Sequence, residues 1–340
     1  MGRSYYIERF AQSIITVFAV VSASFFLLRG MPGTPADYLK AQLVESQRGA
    51  GAMDPHHLER LTQEYMNMYP DSPLHIQYFN YMQEMVLNLN FGRSIWYQEP
   101  VTDILFQALP WTLFVMSQAL LLSFGVQVLL GAAMAYKEGA RFDMGFTSFA
   151  LVAGSTPYYI IALLGLYFLG YQLEWFPKGG HYDQSIPIGV NVDFIISIFY
   201  HSALPVMSLV LARTAGAISM RANAVRVLGQ DYIRVARLRG LPTGRIVRRY
   251  VARNAVLPEY TSLLISMGAM FGGSVILEQI FVYPGIGFYT FKAVETRDYP
   301  LLMGGFVLVT VTVVIGVLIG DLTYGLIDPR ASSGGGRESY

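Results

Sequence analysis

Cysteine is absent from the 340 residues. That excludes a disulfide framework, a thiolate metal site and a cysteine nucleophile. Charge is scarce as well: Asp, Glu, Lys and Arg make up 14% of the chain, where a soluble domain carries roughly 25%. With 53% hydrophobic residues and a mean hydropathy of +0.40, this chain cannot cover a soluble surface, so lipid must be part of its solvent. Lysine occurs four times and never follows glycine, so no P-loop is present to cradle nucleotide phosphates. Hydrolytic motifs are missing too. His56-His57-Leu-Glu-Arg60 is not the His-Glu-x-x-His zinc spacing, and no Gly-x-Ser-x-Gly elbow occurs. His75 and His181 stand alone, so a membrane-embedded enzyme finds no constellation to work with, and no metal site is expected.

Where charge is absent, spans are expected. Six charge-free runs reach 18 residues: Phe10–Leu28, Ile104–Tyr136, Met144–Leu173, Phe194–Ala212, Tyr260–Leu277 and Tyr299–Gly320. A spanning helix needs about 20 apolar residues to cross a core about 30 Å thick. The run from 104 to 136 reads as one span with a flanking piece. The first run follows Arg3 and Arg9, as a signal peptide would. It ends without an Ala-x-Ala cleavage pattern, however, and is too long for a signal core, so it reads as a retained span. The expected fold class is an all-α polytopic membrane protein with six transmembrane helices.

Six spans put both termini on one side. The terminal segments and even-numbered loops hold 16 of the 24 Lys and Arg, and the two short odd-numbered loops hold three, Lys178, Lys292 and Arg297. Basic residues stay inside, so both termini are expected in the cytoplasm. The chain divides into 1–29, N-terminus and first span; 30–103, an external loop; 104–326, a five-span core with a cytoplasmic loop at 213–253; and 327–340, a disordered tail. The external loop reads as folded. Asp54-Pro55 can start one helix, and a second begins near Ser72-Pro73 with Ile76, Phe79, Met82 and Val86 at helical spacing.

Residues 213–253 carry ten Arg and one acid, Asp231. Each Arg at mid-bilayer costs about 2.5–3.5 kcal/mol, so ten cost on the order of 30 kcal/mol, and the segment must lie at or beyond the cytoplasmic surface. A short helix is expected over Asp231–Arg239. Gly240 stands where a left-handed cap is wanted and Pro242 blocks continuation. Thr243 can cap a second helix through Arg245, Arg248, Arg249 and Arg253. A basic anchor for lipid headgroups is the plain reading of such a loop. A nucleic-acid reading lacks any accompanying motif.

Asp231-Tyr-Ile-Arg-Val-Ala-Arg-Leu-Arg-Gly-Leu241, followed by Arg253-Asn-Ala-Val-Leu-Pro258, resembles the cytoplasmic loop of permease subunits of peptide-type, binding-protein-dependent ABC importers. In the wider superfamily the loop opens Glu-Ala-Ala. Here Arg234-Val235-Ala236 stands there, and Leu257-Pro258 lies several residues further from the glycine, both as in the peptide-type branch. Further resemblances follow in order: Leu28-Arg-Gly-Met-Pro-Gly-Thr-Pro-Ala36, Asn90-Phe-Gly-Arg-Ser94, Trp175-Phe-Pro177, Phe281-Val-Tyr-Pro-Gly-Ile-Gly287, Arg297-Asp-Tyr-Pro300 and Asp328-Pro329-Arg330. The long loop after span one is similar to that of the first permease of the family's pair.

The resemblance implies a type I ABC importer permease fold. It implies as partners a second homologous permease, two ATP-binding subunits, an external solute-binding protein and membrane lipid. ATP and Mg would sit on the partner subunits, with no cofactor and no catalysis on this chain. It would be a multi-pass protein of the prokaryotic cell (inner or plasma) membrane. The helix around Asp231, Tyr232, Ile233, Val235, Ala236 and Arg237, closed by Gly240 and Pro242, would be the coupling helix in an ATPase cleft. Small Ala236 would permit close approach there, and Leu257 and Pro258 would open the fifth span. The cavity between the two permeases would have mostly neutral walls. The solute stays open among dipeptides, oligopeptides, nickel complexes and oligosaccharides. An ion-coupled secondary transporter is the alternative. Such proteins need ionisable groups within the membrane, and only His201 lies inside a run.

Overall fold

A computed structural model describes residues 3–30, 73–270 and 274–327. Among these residues the elements are helical. Helix α1 (Arg3–Gly30) leads, followed by the shorter α2 (Leu74–Met82). Helix α3 (Val101–Tyr136) has 36 residues. At about 1.5 Å per residue it exceeds a bilayer core, as a span with a flanking piece should. Helices α4 (Arg141–Ser155) and α5 (Tyr158–Gly165) come next, then α6 (Val192–Ala212) and α7 (Gly216–Leu228). The basic loop forms α8 (Asp231–Leu238) and α9 (Thr243–Ile246). The chain then runs through α10 (Ala252–Met270), α11 (Val275–Ile280), α12 (Ile286–Thr296) and α13 (Tyr299–Ile327).

Four helices are long and apolar enough to cross a membrane: Ile7–Leu27, Val101–Tyr136, Val192–Ala212 and Tyr299–Gly320. The charge-free run at 144–173 is not one straight helix. It bends by 98° between Arg141–Ser155 and Tyr158–Gln172. Thr156 is extended at φ −87°, ψ 124°, because the ring of Pro157 excludes the helical conformation from the residue before it. A count of charges cannot see that break. The run at 260–277 is divided between α10 and α11, and residues 271–273 fall outside the described set. The described residues therefore give four crossing helices, or five if the bent pair is one span, against the six expected.

The helices pack through three apolar clusters. One joins Val21 and Phe25 of α1 to Tyr81 and Met85 near α2 and to Leu301, Val307 and Leu308 of α13. A second gathers around Val115, Leu204, Leu277 and Tyr283. The third lies at the opposite end of α3 and holds the basic loop. Helices α3 and α7 approach closely at Gly131, where an added Cβ would stand 2.6 Å from the Ala217 carbonyl oxygen.

Helix α2 begins as the sequence predicts, with the Pro73 carbonyl accepting from the Ile76 and Gln77 amides. Its burial is turned the other way. Ile76, Phe79 and Val86 are exposed, whereas Gln77, Tyr81 and Met85 are buried. Tyr78 and Tyr81 take edge contacts from Phe25, with ring centroids 5.4 and 5.3 Å away. The apolar stripe marks a helix, but the aromatic face is the one that packs. The Asp54-Pro55 start and the tail at 328–340 lie outside the described residues.

Candidate functional site

Helix α8 stops by the mechanism its sequence demands. Gly240 has φ +67°. Its amide donates to the Arg237 carbonyl at 2.9 Å, and the Leu241 amide donates to the Ala236 carbonyl at 3.3 Å. This pair of bonds is the Schellman closure of a helix C-terminus. Asp231 lies in the first turn and Arg237 in the last, the order favoured by the helix dipole. Past Pro242, α9 begins at Thr243 itself. The Pro242 carbonyl accepts from the Arg245 and Ile246 amides at 2.9 and 3.2 Å.

The two faces of α8 differ sharply. Ile233 and Ala236 are 0% and 4% exposed. They lie in a cluster with Ala135 of α3, Met220 and Ala224 of α7, Ile246 of α9, Val251, and Ala255 of α10. Tyr232, Val235 and Leu238 are exposed, Leu238 at 80%, with Asp231, Arg234, Arg237 and Arg239 around them. Ala236 is thus not on the outward face where the sequence reading puts it. Its small size lets α8 approach its own chain. Tyr232 is steadied by Asn254, whose Nδ2 donates to the Tyr Oη at 3.3 Å. Leu257 and Pro258 are exposed, and Pro258 lies within α10.

A second tie holds the same end. Arg221 of α7 donates from Nε and one terminal nitrogen to Asp143 at 2.6 and 2.7 Å. The Gly139 amide donates to Asp143 at 3.0 Å. This bidentate pair fastens the loop between α3 and α4 to α7. Arg221 is therefore no free headgroup anchor. The loop clamp, the seat of α8 and parts of α3, α7 and α10 thus pack together.

On the opposite side, segments far apart in sequence meet through acids. The Ser94 hydroxyl and Trp96 amide both donate to Oδ2 of Asp298, and the Leu301 amide donates to its Oδ1. Glu278 is 1% exposed. It accepts from the Thr112 hydroxyl at 2.8 Å and the Phe288 amide at 3.0 Å, while Thr112 Oγ1 accepts from the Ile286 amide at 2.8 Å. The Pro284–Gly287 turn is thus sewn to α3. The Gly180 amide donates to the Phe281 carbonyl at 3.0 Å, which docks the segment after Trp175-Phe-Pro177 on the same turn. His181 packs edge-on to Trp111 at 4.3 Å. Burial, with the nearby His201, lowers its pKa from 6.5 to about 4. Asp183 is held below its usual range by hydrogen bonds from the Ser185 amide and hydroxyl. His201 itself donates from Nδ1 to the Ser197 carbonyl at 2.8 Å, a packed side chain satisfied within its own helix.

Sequence reasoning did not single out Asp143, Glu278, Asp298 or Thr112. The one signal available was position: Asp143, Glu278 and Asp298 each stand directly beside a charge-free run. Their partners lie 78, 166 and 204 residues away, and no local pattern connects them. Among the described residues no cluster of His, Asp and Glu could hold a metal ion.

Residues 127–333 match the family described as "Binding-protein-dependent transport system inner membrane component". The chain is 31% identical to the oligopeptide transport system permease protein AppB of Bacillus subtilis (strain 168), over 96% of this chain and 98% of that protein. It is 30% identical to the di/tripeptide transport system permease protein DppB of Pseudomonas aeruginosa (strain UCBPP-PA14), and 29% identical to the dipeptide transport system permease protein DppB of Lactococcus lactis subsp. cremoris (strain MG1363). Each of those two alignments again covers 96% of this chain and 98% of the relative.

Proposed function

The chain belongs to the family of binding-protein-dependent transport system inner membrane components, and from that premise we propose that it is one transmembrane subunit of an ATP-driven importer for peptides. It forms half of a translocation pathway with a second, homologous permease. An external binding protein delivers the solute. Two ATP-binding subunits carry the nucleotide and Mg, and this chain carries no catalytic group. Both termini and the loop 213–253 face the cytoplasm, as the 16 against three distribution of Lys and Arg supports. The chain crosses the membrane six times, with the bent α4–α5 pair and α10–α11 as the third and fifth crossings.

The observation that carries the reading is α8. It is a two-faced helix with one edge seated on three long elements and the other free. Asp231, Tyr232, Val235 and Arg237 meet the ATPase cleft. Ile233 and Ala236 transmit its movement inward, Gly240 and Pro242 keep the helix short, and Leu257 and Pro258 carry the motion into α10. Closure of the two ATPases moves this block, and the cavity between the permeases changes the side it faces.

The test is reconstitution. Co-expressed with the neighbouring permease and ATPase genes, the chain co-purifies as a complex. In liposomes that complex takes up peptide only with ATP and loaded binding protein, and the isolated chain hydrolyses no ATP. Uptake by the isolated chain, driven by an ion gradient, would refute the assignment.

A further inference from the structure

Two cavities within this chain carry charged groups on their walls. Two adjoining cavities run along one face of α3, of about 430 and 410 Å³, within the range of small-molecule sites. They share Leu120 and Arg213. The first is lined largely by apolar side chains, among them Met116, Leu209 and Ile276. The second mixes apolar side chains with Ser123, Gln127, Ser262 and Ser266, together with Arg213 and Glu259.

The fold fixes the backbone of Arg213 and the side chain of Glu259. Arg213 stands at the break between α6 and α7. There its amide donates to Leu209, and its carbonyl accepts from Gln127 Nε2 at 2.8 Å. Its guanidinium makes no ion pair among the described residues. Glu259 of α10 is 7% exposed, and one of its oxygens accepts from Asn223 Nδ2 at 3.3 Å. A base and an acid thus line one cavity without pairing to each other. Glu259 is the buried member, and a buried charge is costly unless something completes it, whereas Arg213 is exposed on the cavity wall.

We propose that Arg213 and Glu259 form a transient binding site for the two ends of a short zwitterionic peptide. Arg213 takes the terminal carboxylate, and Glu259 takes the terminal ammonium. The hydroxyls and the amide between them suit peptide groups, and the apolar cavity beyond Leu120 takes a side chain. A solute without a terminal ammonium would leave the buried Glu259 without a cationic partner. The site deepens the peptide-permease reading and rests on it.

The experiment uses the purified permease–ATPase complex without binding protein, with labelled Ala-Phe, its C-terminal amide and its N-acetyl derivative as probes in equilibrium dialysis. A charge-assisted hydrogen bond supports a preference of about tenfold or more. The wild-type complex binds the free dipeptide that much tighter than the amide. R213Q binds the two alike, and Arg213→Lys keeps most of the preference. E259Q loses the preference for the free over the acetylated amine. No detectable binding, equal binding of acid and amide by the wild type, or an unchanged preference in R213Q overturns the site. Uptake by the wild-type complex in liposomes, with ATP and loaded binding protein added, is measured in parallel. ATP-driven peptide uptake alongside any of those results overturns the pair alone. Absence of such uptake overturns the permease reading, while the dialysis result still judges the pair.

Discussion

Gly240→Ala isolates what the end of α8 does. Gly240 sits at φ +67°, and an added Cβ would meet no heavy atom within 4 Å. The cost is therefore conformational and not steric, about 1–2 kcal/mol for a side chain in the left-handed region. Nothing in the three apolar clusters is touched, so the protein should insert and accumulate normally. The strain is relieved by unwinding the Schellman closure, which loosens the last turn of α8 and with it the seating of Ile233 and Ala236. At 1.4 kcal/mol per factor of ten, the equilibrium constant for seating falls roughly 5- to 30-fold. Binding-protein-stimulated ATP hydrolysis and peptide uptake should fall by up to that factor in proteoliposomes. Asn at 240, which tolerates this conformation, should fall less. Gly244→Ala is the control. It also has free space, its φ is not positive, and helix propensity favours the change, so activity should be unaltered. Wild-type transport by both Gly240→Ala and Gly240→Val would refute the argument and leave the loop a basic anchor.

Other consequences can be checked separately. Ala236→Glu buries a charge in the α8 seat and should lower the thermal midpoint of the purified chain, whereas Val235→Glu on the free face should leave the midpoint intact and weaken ATPase co-purification. Cysteines at Tyr232 or Val235, but not at Ala236, should crosslink to cysteines in an ATPase cleft. Asp143→Asn removes the charge and one of the two acceptor oxygens of a bidentate pair and should cost roughly 2–3 kcal/mol, read as a lower denaturation midpoint and faster proteolysis between α3 and α4. His181 has a folded pKa of about 4, below its ordinary 6.5, so the unfolded chain binds its proton first. Stability from this site is present above pH 6.5 and is lost as the pH falls toward 4. His181→Gln should flatten that part of the midpoint-against-pH curve, and an unchanged slope would contradict the buried placement.

Much of this protein was legible in the linear chain because the controlling physics is local or additive. A charge costs too much in lipid wherever it stands, so charge-free runs mark crossing helices without any knowledge of packing. Gly240 followed by Pro242 stops a helix through its own backbone, and the stop is found where those residues stand. The family resemblance of the loop rests on the same local residues. Other features depend on what comes to lie beside each segment. Ala236 and Val235 are neighbours of similar character, yet the direction of α3 and α7 buries one and exposes the other. The stripe of α2 predicts a helix but not its buried face, because Phe25 of α1 supplies a better partner on the aromatic side. Pro157 announces a break, but its 98° angle belongs to the packing of α4 and α5. Arg213 and Glu259 each close a charge-free run as ordinary boundary residues, 46 positions apart. Only the fold brings α3, the α6–α7 break and α10 around one cavity, and puts both boundary charges on its wall.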